Sequence, residues 1–131
     1  MALIYIVEDD KNIREIETFA LKNSGYQIRD FECAAQFYAK MEEKLPNLIL
    51  LDVMLPDEDG LNIVKKIRSN PESRKIPVIM VTAKATELDK VKGLDSGADD
   101  YITKPFNILE VKARIKAIMR RTNASQPKKD N

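Results

Sequence analysis

The chain has 131 residues, enough for one domain with a substantial core. Hydrophobic residues at 44% and charged residues at 33% exclude a disordered or membrane-embedded class. A net charge of +1 gives no whole-domain pull toward nucleic acid or an anionic membrane, and the absence of histidine excludes a His-based triad or a phosphohistidine carried here. The single Cys33 cannot form an internal disulfide and is expected to be a small, reduced core residue.

In chain order, Ala2 to Val7 reads as a buried strand, too short for a signal peptide or a transmembrane helix, and it is closed by Glu8-Asp9-Asp10. A helix follows from about Lys11 to Asn23. Ile13, Ile16 and Ala20, with Phe19 beside them, form its expected apolar stripe, and Ser24-Gly25 ends it. Tyr26 to Phe31 alternates weakly, as an edge strand would. A second helix from about Ala34 to Lys44 stacks Ala34, Phe37, Tyr38 and Met41. Asn47 to Asp52 is a third strand whose uninterrupted apolar run, Leu48-Ile49-Leu50-Leu51, suits burial on both faces of a parallel sheet.

Val53 to Asp59 has turn chemistry (Pro56, Asp57, Asp59) leading to Gly60, and a third helix with Leu61, Val64 and Ile67 inward is stopped at Asn70-Pro71. Val78 to Val81 is a fourth strand ending at Thr82. A fourth helix is expected from about Thr86 to Ser96, a short fifth strand at Asp100-Tyr101-Ile102, and a last helix from about Ile108 to Arg121. Residues 122–131 are polar and aperiodic, as a tail or the start of a linker would be; the domain is therefore expected to span residues 1–121. Five strands alternating with five helices imply a doubly wound α/β domain with a parallel sheet. The pattern leaves the strand order open; an order of 2-1-3-4-5 would set the first and third strands side by side at the switch point.

Parallel strands end on a common rim, where such sheets place their ligand crevice. The residues delivered there are Glu8-Asp9-Asp10, Asp52, Thr82 and Lys104. Several carboxylates gathered together repel one another, and Mg2+, which favours oxygen ligands in an octahedral shell, relieves that repulsion. A carboxylate held beside such a cation and an ammonium group is equipped to attack a phosphoryl group, with Thr82 donating a hydrogen bond to the product. Each residue also has an ordinary structural reading: Asp52 as a turn residue, Asp9 or Asp10 as a helix N-cap, Thr82 as a strand residue, Lys104 as a solvated charge. Together those readings need four coincidences at four strand ends.

Val-Glu-Asp-Asp (7–10), Leu-Leu-Asp-Val-Met-Leu-Pro-Asp-Glu-Asp-Gly (50–60), Val-Thr-Ala-Lys (81–84) and Gly-Ala-Asp-Asp-Tyr-Ile-Thr-Lys-Pro-Phe (97–106) resemble the receiver domains of two-component response regulators. The likeness runs from Leu3 to about Arg121. It implies a flavodoxin-like, three-layer α/β/α fold with sheet order 2-1-3-4-5, acting as a cytoplasmic switch rather than an enzyme. It implies Asp52 as phosphoacceptor, and Asp9, Asp10, Asp52 and the Met54 backbone carbonyl as ligands of Mg2+ (or Mn2+). Lys104, before an expected cis Pro105, and Thr82 would hold the phosphoryl oxygens, with Thr82 and Tyr101 as the switch pair. A sensor histidine kinase would be the phosphoryl donor.

Asp89 to Tyr101 and Glu110 to Arg121 further resemble the OmpR/PhoB-type transcription regulators. That likeness implies a homodimer formed on phosphorylation through the fourth helix, fifth strand and last helix. Lys90 would pair with Glu110, Asp100 with Arg114 and Asp95 with Arg121, around Val91, Leu94 and Ala113. Glu110 and Arg114 could equally brace one helix as an i, i+4 pair. DNA would be bound only through a C-terminal domain absent from this chain; a stand-alone receiver working by protein contacts is the alternative. An aspartate-nucleophile phosphatase would want a second Asp where Met54 stands, and a flavodoxin-like flavin binder a hydroxyl- and glycine-rich loop where Glu8-Asp9-Asp10 stands.

Overall fold

A computed structural model describes residues 2–83 and 97–125. The chain runs β1 (Leu3–Val7), α1 (Lys11–Asn23), β2 (Gln27–Phe31), α2 (Ala34–Glu43), β3 (Leu48–Asp52), α3 (Gly60–Ser69), β4 (Val78–Thr82), β5 (Asp100–Thr103) and α4 (Ile108–Ser125). The expected helix at about 86–96 lies outside the described residues, as do Lys84, Lys90, Val91, Leu94 and Asp95. The five strands form one parallel sheet in the order β2-β1-β3-β4-β5.

Alternation along the strands sorts the core into two layers. On one face Tyr5, Val7, Ile49, Leu51, Val78 and Met80 pack against Phe37 of α2 and Ile63, Val64 and Ile67 of α3. On the other, Ile4, Ile6, Leu48, Leu50, Ile79, Val81 and Ile102 meet Leu21 of α1 and Val111, Ile115 and Ile118 of α4. Central β1, β3 and β4 are buried along their whole length, whereas β2, at the edge, buries only Phe31 fully. This is the reason β3 reads as an unbroken apolar run and β2 as a weak alternation.

Three local expectations differ from the structure. On α1 the fully buried residues are Glu17 and Leu21, whereas Ile16 and Phe19 are 53% and 69% exposed. The helix is turned so that an acidic side chain faces inward. Cys33 is not in the core but half-exposed at the N-cap position of α2. Finally, α4 continues to Ser125 instead of ending at Arg121. No Gly or Pro interrupts residues 122–125, so extending an established helix costs little there. No described helix is long and apolar enough to cross a membrane.

Candidate phosphoacceptor and metal site

β1, β3 and β4 end side by side, with Val7 beside Leu51 and Asp52 beside Val81. The ladder continues one step past β1, since Glu8 N donates to Phe31 O at 3.0 Å. Glu8 is thereby held at the strand end, only 1% exposed, next to Asp52 at 3%. Carboxylate oxygens of Glu8, Asp9 and Asp52 lie within 4.8 Å of one another. Burial first, and then the hydrogen bond and charge of Asp52, raises the Glu8 carboxyl above its ordinary range.

Asp10, expected among the metal ligands, has a different position. It is the N-cap of α1, its Oδ1 accepting from Ile13 N at 3.1 Å. The acidic cluster is completed by Glu8 instead. The signal for this was present: Asp10 stands immediately before a helix, where an N-cap belongs, and Glu8 immediately after a strand.

Lys104 supplies the positive charge. Its Nζ donates to Glu8 Oε2 at 3.2 Å and to Asp52 Oδ2 at 3.2 Å. Glu8 Oε1 lies 3.1 Å from the same nitrogen, an ion-pair contact without hydrogen-bond alignment. Burial alone would lower the Lys104 pKa, but the charges of Asp52 and Glu8 outweigh it and raise it. The preceding strand fixes the reach: Thr82 and Thr103 are in register, and Lys104 N donates to Thr82 O at 2.7 Å. The Lys104–Pro105 bond is cis.

Asp52 is gripped at both oxygens, because Met54 N donates to Oδ1 at 3.1 Å while Lys104 holds Oδ2. The following turn closes tightly: Gly60 N donates to Val53 O at 2.7 Å, and a Cβ on Gly60 would stand 2.5 Å from Asp52 O. No other residue fits there. Thr82 is 5% exposed at the end of β4. Tyr101 is half-buried and packs on the same side of the sheet, as the Thr82–Thr103 register requires.

Three clustered carboxylates against one ammonium, with a buried Glu8 oxygen lacking a hydrogen bond, form an oxygen donor set in negative excess. That set suits Mg2+ or Mn2+. Phosphoryl transfer asks a protein mainly to position groups and neutralise charge, and a carboxylate, an ammonium, a hydroxyl and an acidic cluster suited to a metal ion, at one strand edge, can do both.

The sequence model of the response regulator receiver domain matches residues 4–116. The chain belongs to that family. The receiver is 48% identical over 118 residues to the phosphate regulon transcriptional regulatory protein PhoB of Klebsiella pneumoniae, a match covering 90% of this chain and 52% of PhoB. The chain thus spans about half the length of the curated relative it matches. Its fold superposes on the BeF3-activated DrrB receiver domain with a TM-score of 0.83 at 33% identity, covering 92% of this chain and 98% of DrrB. The Mn(2+)-bound form of response regulator Rcp1 matches with a TM-score of 0.77 at 27% identity, covering 90% of this chain and 91% of Rcp1.

Of the residues expected at a dimer face, the receiver places Asp100 on β5 and Glu110, Ala113, Arg114 and Arg121 on α4. Within the single chain Arg114 Nη1 holds both oxygens of Asp100, at 3.0 and 2.8 Å, and Nη2 donates to Glu110 Oε2 at 3.2 Å. Asp100 and Glu110 therefore already have an intrachain partner.

Proposed function

We propose that this receiver is the phosphorylation-controlled input of a two-component transcription regulator, with Asp52 as the acceptor. The observation that carries the proposal is the grip on Asp52 beside the Glu8–Asp9 pair and Lys104. A sensor histidine kinase supplies the phosphoryl group. Glu8, Asp9 and Asp52, with the Met54 carbonyl, would hold Mg2+ or Mn2+, which neutralises charge on the phosphoryl oxygens. An Asp52 oxygen attacks phosphorus as the bond to the donor's leaving group breaks, and Lys104 moves from Glu8 toward the new oxygens. Thr82 donates its hydroxyl to the phosphoryl group, and Tyr101 follows into the space Thr82 leaves.

The output is a population shift, because the phosphoryl group binds one arrangement of Thr82 and Tyr101 better than the other. It is read at the surface of β5 and α4. On the likeness to PhoB, that surface pairs two copies, and DNA is bound through a further domain. In a dimer Arg114 would exchange or share its intrachain contacts with Asp100; such exposed pairs set register more than affinity.

Incubation with acetyl phosphate and Mg2+ tests the acceptor role. The wild type gains one phosphoryl group, and both chelation of Mg2+ and Asp52→Asn abolish the gain. Undiminished labelling of Asp52→Asn would reject the proposal.

A further inference from the structure

The N-terminus of α2 is capped from a distance. Cys33, at its N-cap position, accepts no cap hydrogen bond through its side chain. Asp57 does so from the β3–α3 loop: Oδ1 accepts from Ala34 N at 2.9 Å and Oδ2 from Ala35 N at 3.0 Å. The donors are 23 and 22 residues away in sequence. These bonds hold the Asp57 carboxyl below its usual range, the Ala34 bond most, with the Cys33 thiol as a further donor. A carboxylate also suits the positive end of the helix dipole.

The same loop carries the Met54 N–H that holds Asp52 Oδ1. Its ends are fixed by β3, by Gly60 N, which donates to Val53 O at 2.7 Å, by an antiparallel bridge between Met54 and Asp59, and by Asp59, which caps α3 through Leu61 N at 2.9 Å; residues 55–58 form the arch that these leave between them. Met54 is 56% exposed and Pro56 and Asp57 are exposed, so apolar burial does little to fix that backbone, although Leu55 packs on the core and Glu58 pairs with Lys66 at 3.0 Å. Asp57 is the point at which the loop is tied to the α2 N-terminus.

We propose that Asp57 is a positioning residue for phosphoryl transfer: by gripping the first amides of α2 it fixes the loop backbone, and through Met54 it fixes the orientation of the Asp52 carboxylate. This rests on Asp52 being the acceptor. A plain helix cap would stabilise α2 alone. A tether would also set how Asp52 and the Met54 carbonyl meet a bound metal ion. Groups bonded directly to metal ligands contribute about ten- to hundredfold to affinity, and Asp57, one step further out, is expected at the lower end.

The two roles separate when the cap is restored locally without the tether. Wild type, Asp57→Ala and Asp57→Ala with Cys33→Ser are compared by thermal unfolding, Mg2+ calorimetry, the rate of labelling by acetyl phosphate, and hydrogen exchange at the Met54 amide. The hydroxyl that Cys33→Ser introduces stands at the N-cap position and can cap α2 from there. Asp57→Ala is expected to lower the unfolding midpoint, weaken Mg2+ binding about tenfold, slow labelling and speed Met54 exchange. In the double variant only the unfolding midpoint should recover. Recovery of Mg2+ affinity, labelling and Met54 protection together with the midpoint would overturn the proposal, as would Asp57→Ala with all three at wild-type values. If Asp57→Ala alone does not fold, the double variant, in which the cap is restored without the tether, serves in its place; a wild-type Mg2+ affinity and Met54 exchange rate in it would likewise overturn the tether. A wild type that takes no label strikes the acceptor role instead, and Met54 exchange then decides whether Asp57 holds the loop.

Discussion

A carboxyl group buried without a hydrogen bond penalises the folded state at any pH where the unfolded chain would have ionised it. Glu17 on α1 is in that position, 1% exposed and with no hydrogen bond to either oxygen. Burial, and then the charge of Glu8, raises its pKa from 4.5 to about 8, against an opposing pull from Lys104. Between those values the folded protein holds a proton that the unfolded chain has released, so this group makes stability fall as pH rises from 4.5 to about 8. Glu17→Leu should remove that slope and stabilise the protein at pH 8 by a few kcal/mol, each pKa unit being worth about 1.4 kcal/mol. Urea unfolding across this pH range checks it, and parallel curves for the two proteins would contradict it. Asp52 and Thr82 were legible because each ends a buried strand, and Lys104 because it directly follows β5. The whole Glu8-Asp9-Asp10 run follows β1, so its delivery to the rim was legible too; which of the three carboxylates join the cluster turns on Asp10 standing at the N-cap position of α1. Glu17 was less legible still, since an acid between Ile16 and Phe19 reads as part of a solvated face.

At the scale of elements, α1 shows why an apolar stripe alone does not orient a helix. Apolar residues at 13, 16, 19, 20 and 21 leave more than one face able to turn inward, and packing between the sheet and α4 selects the one carrying Leu21. Leu21→Ala should therefore cost about 2–5 kcal/mol. Phe19→Ser, though it removes a larger side chain, should stay within about 0.5 kcal/mol. Denaturant unfolding of both variants tests the orientation, and the reverse ranking would contradict it. The stripes of α2 and α3 were easier to place because their apolar residues fall on one narrow arc. Helix ends followed local chemistry where it was present: Gly25, with φ of 98°, ends α1, and Pro71 follows closely on α3. Where it is lacking, as after Arg121, nothing local stops the helix and α4 runs on to Ser125.

At the scale of the whole molecule, the alternation of strands and helices implied a parallel sheet but left its order open. The order β2-β1-β3-β4-β5 came from resemblance and is what the structure has. Its consequence is chemical: β1 and β3 are neighbours, so Glu8, Asp9 and Asp52 meet, and β5 beside β4 brings Lys104 to them. Coupling of that edge to the surface of β5 and α4 predicts that beryllium fluoride with Mg2+ raises the dimer fraction, measured by light scattering; a monomer under both conditions would contradict dimerisation and leave the acceptor chemistry intact. The chemistry itself is decided by locating the modification. After labelling with acetyl phosphate and Mg2+, borohydride reduction converts an aspartyl phosphate to homoserine, and peptide sequencing by mass spectrometry finds it. Homoserine at position 52 alone is the predicted result, and homoserine at any other aspartate, with Asp52 intact, would contradict the assignment.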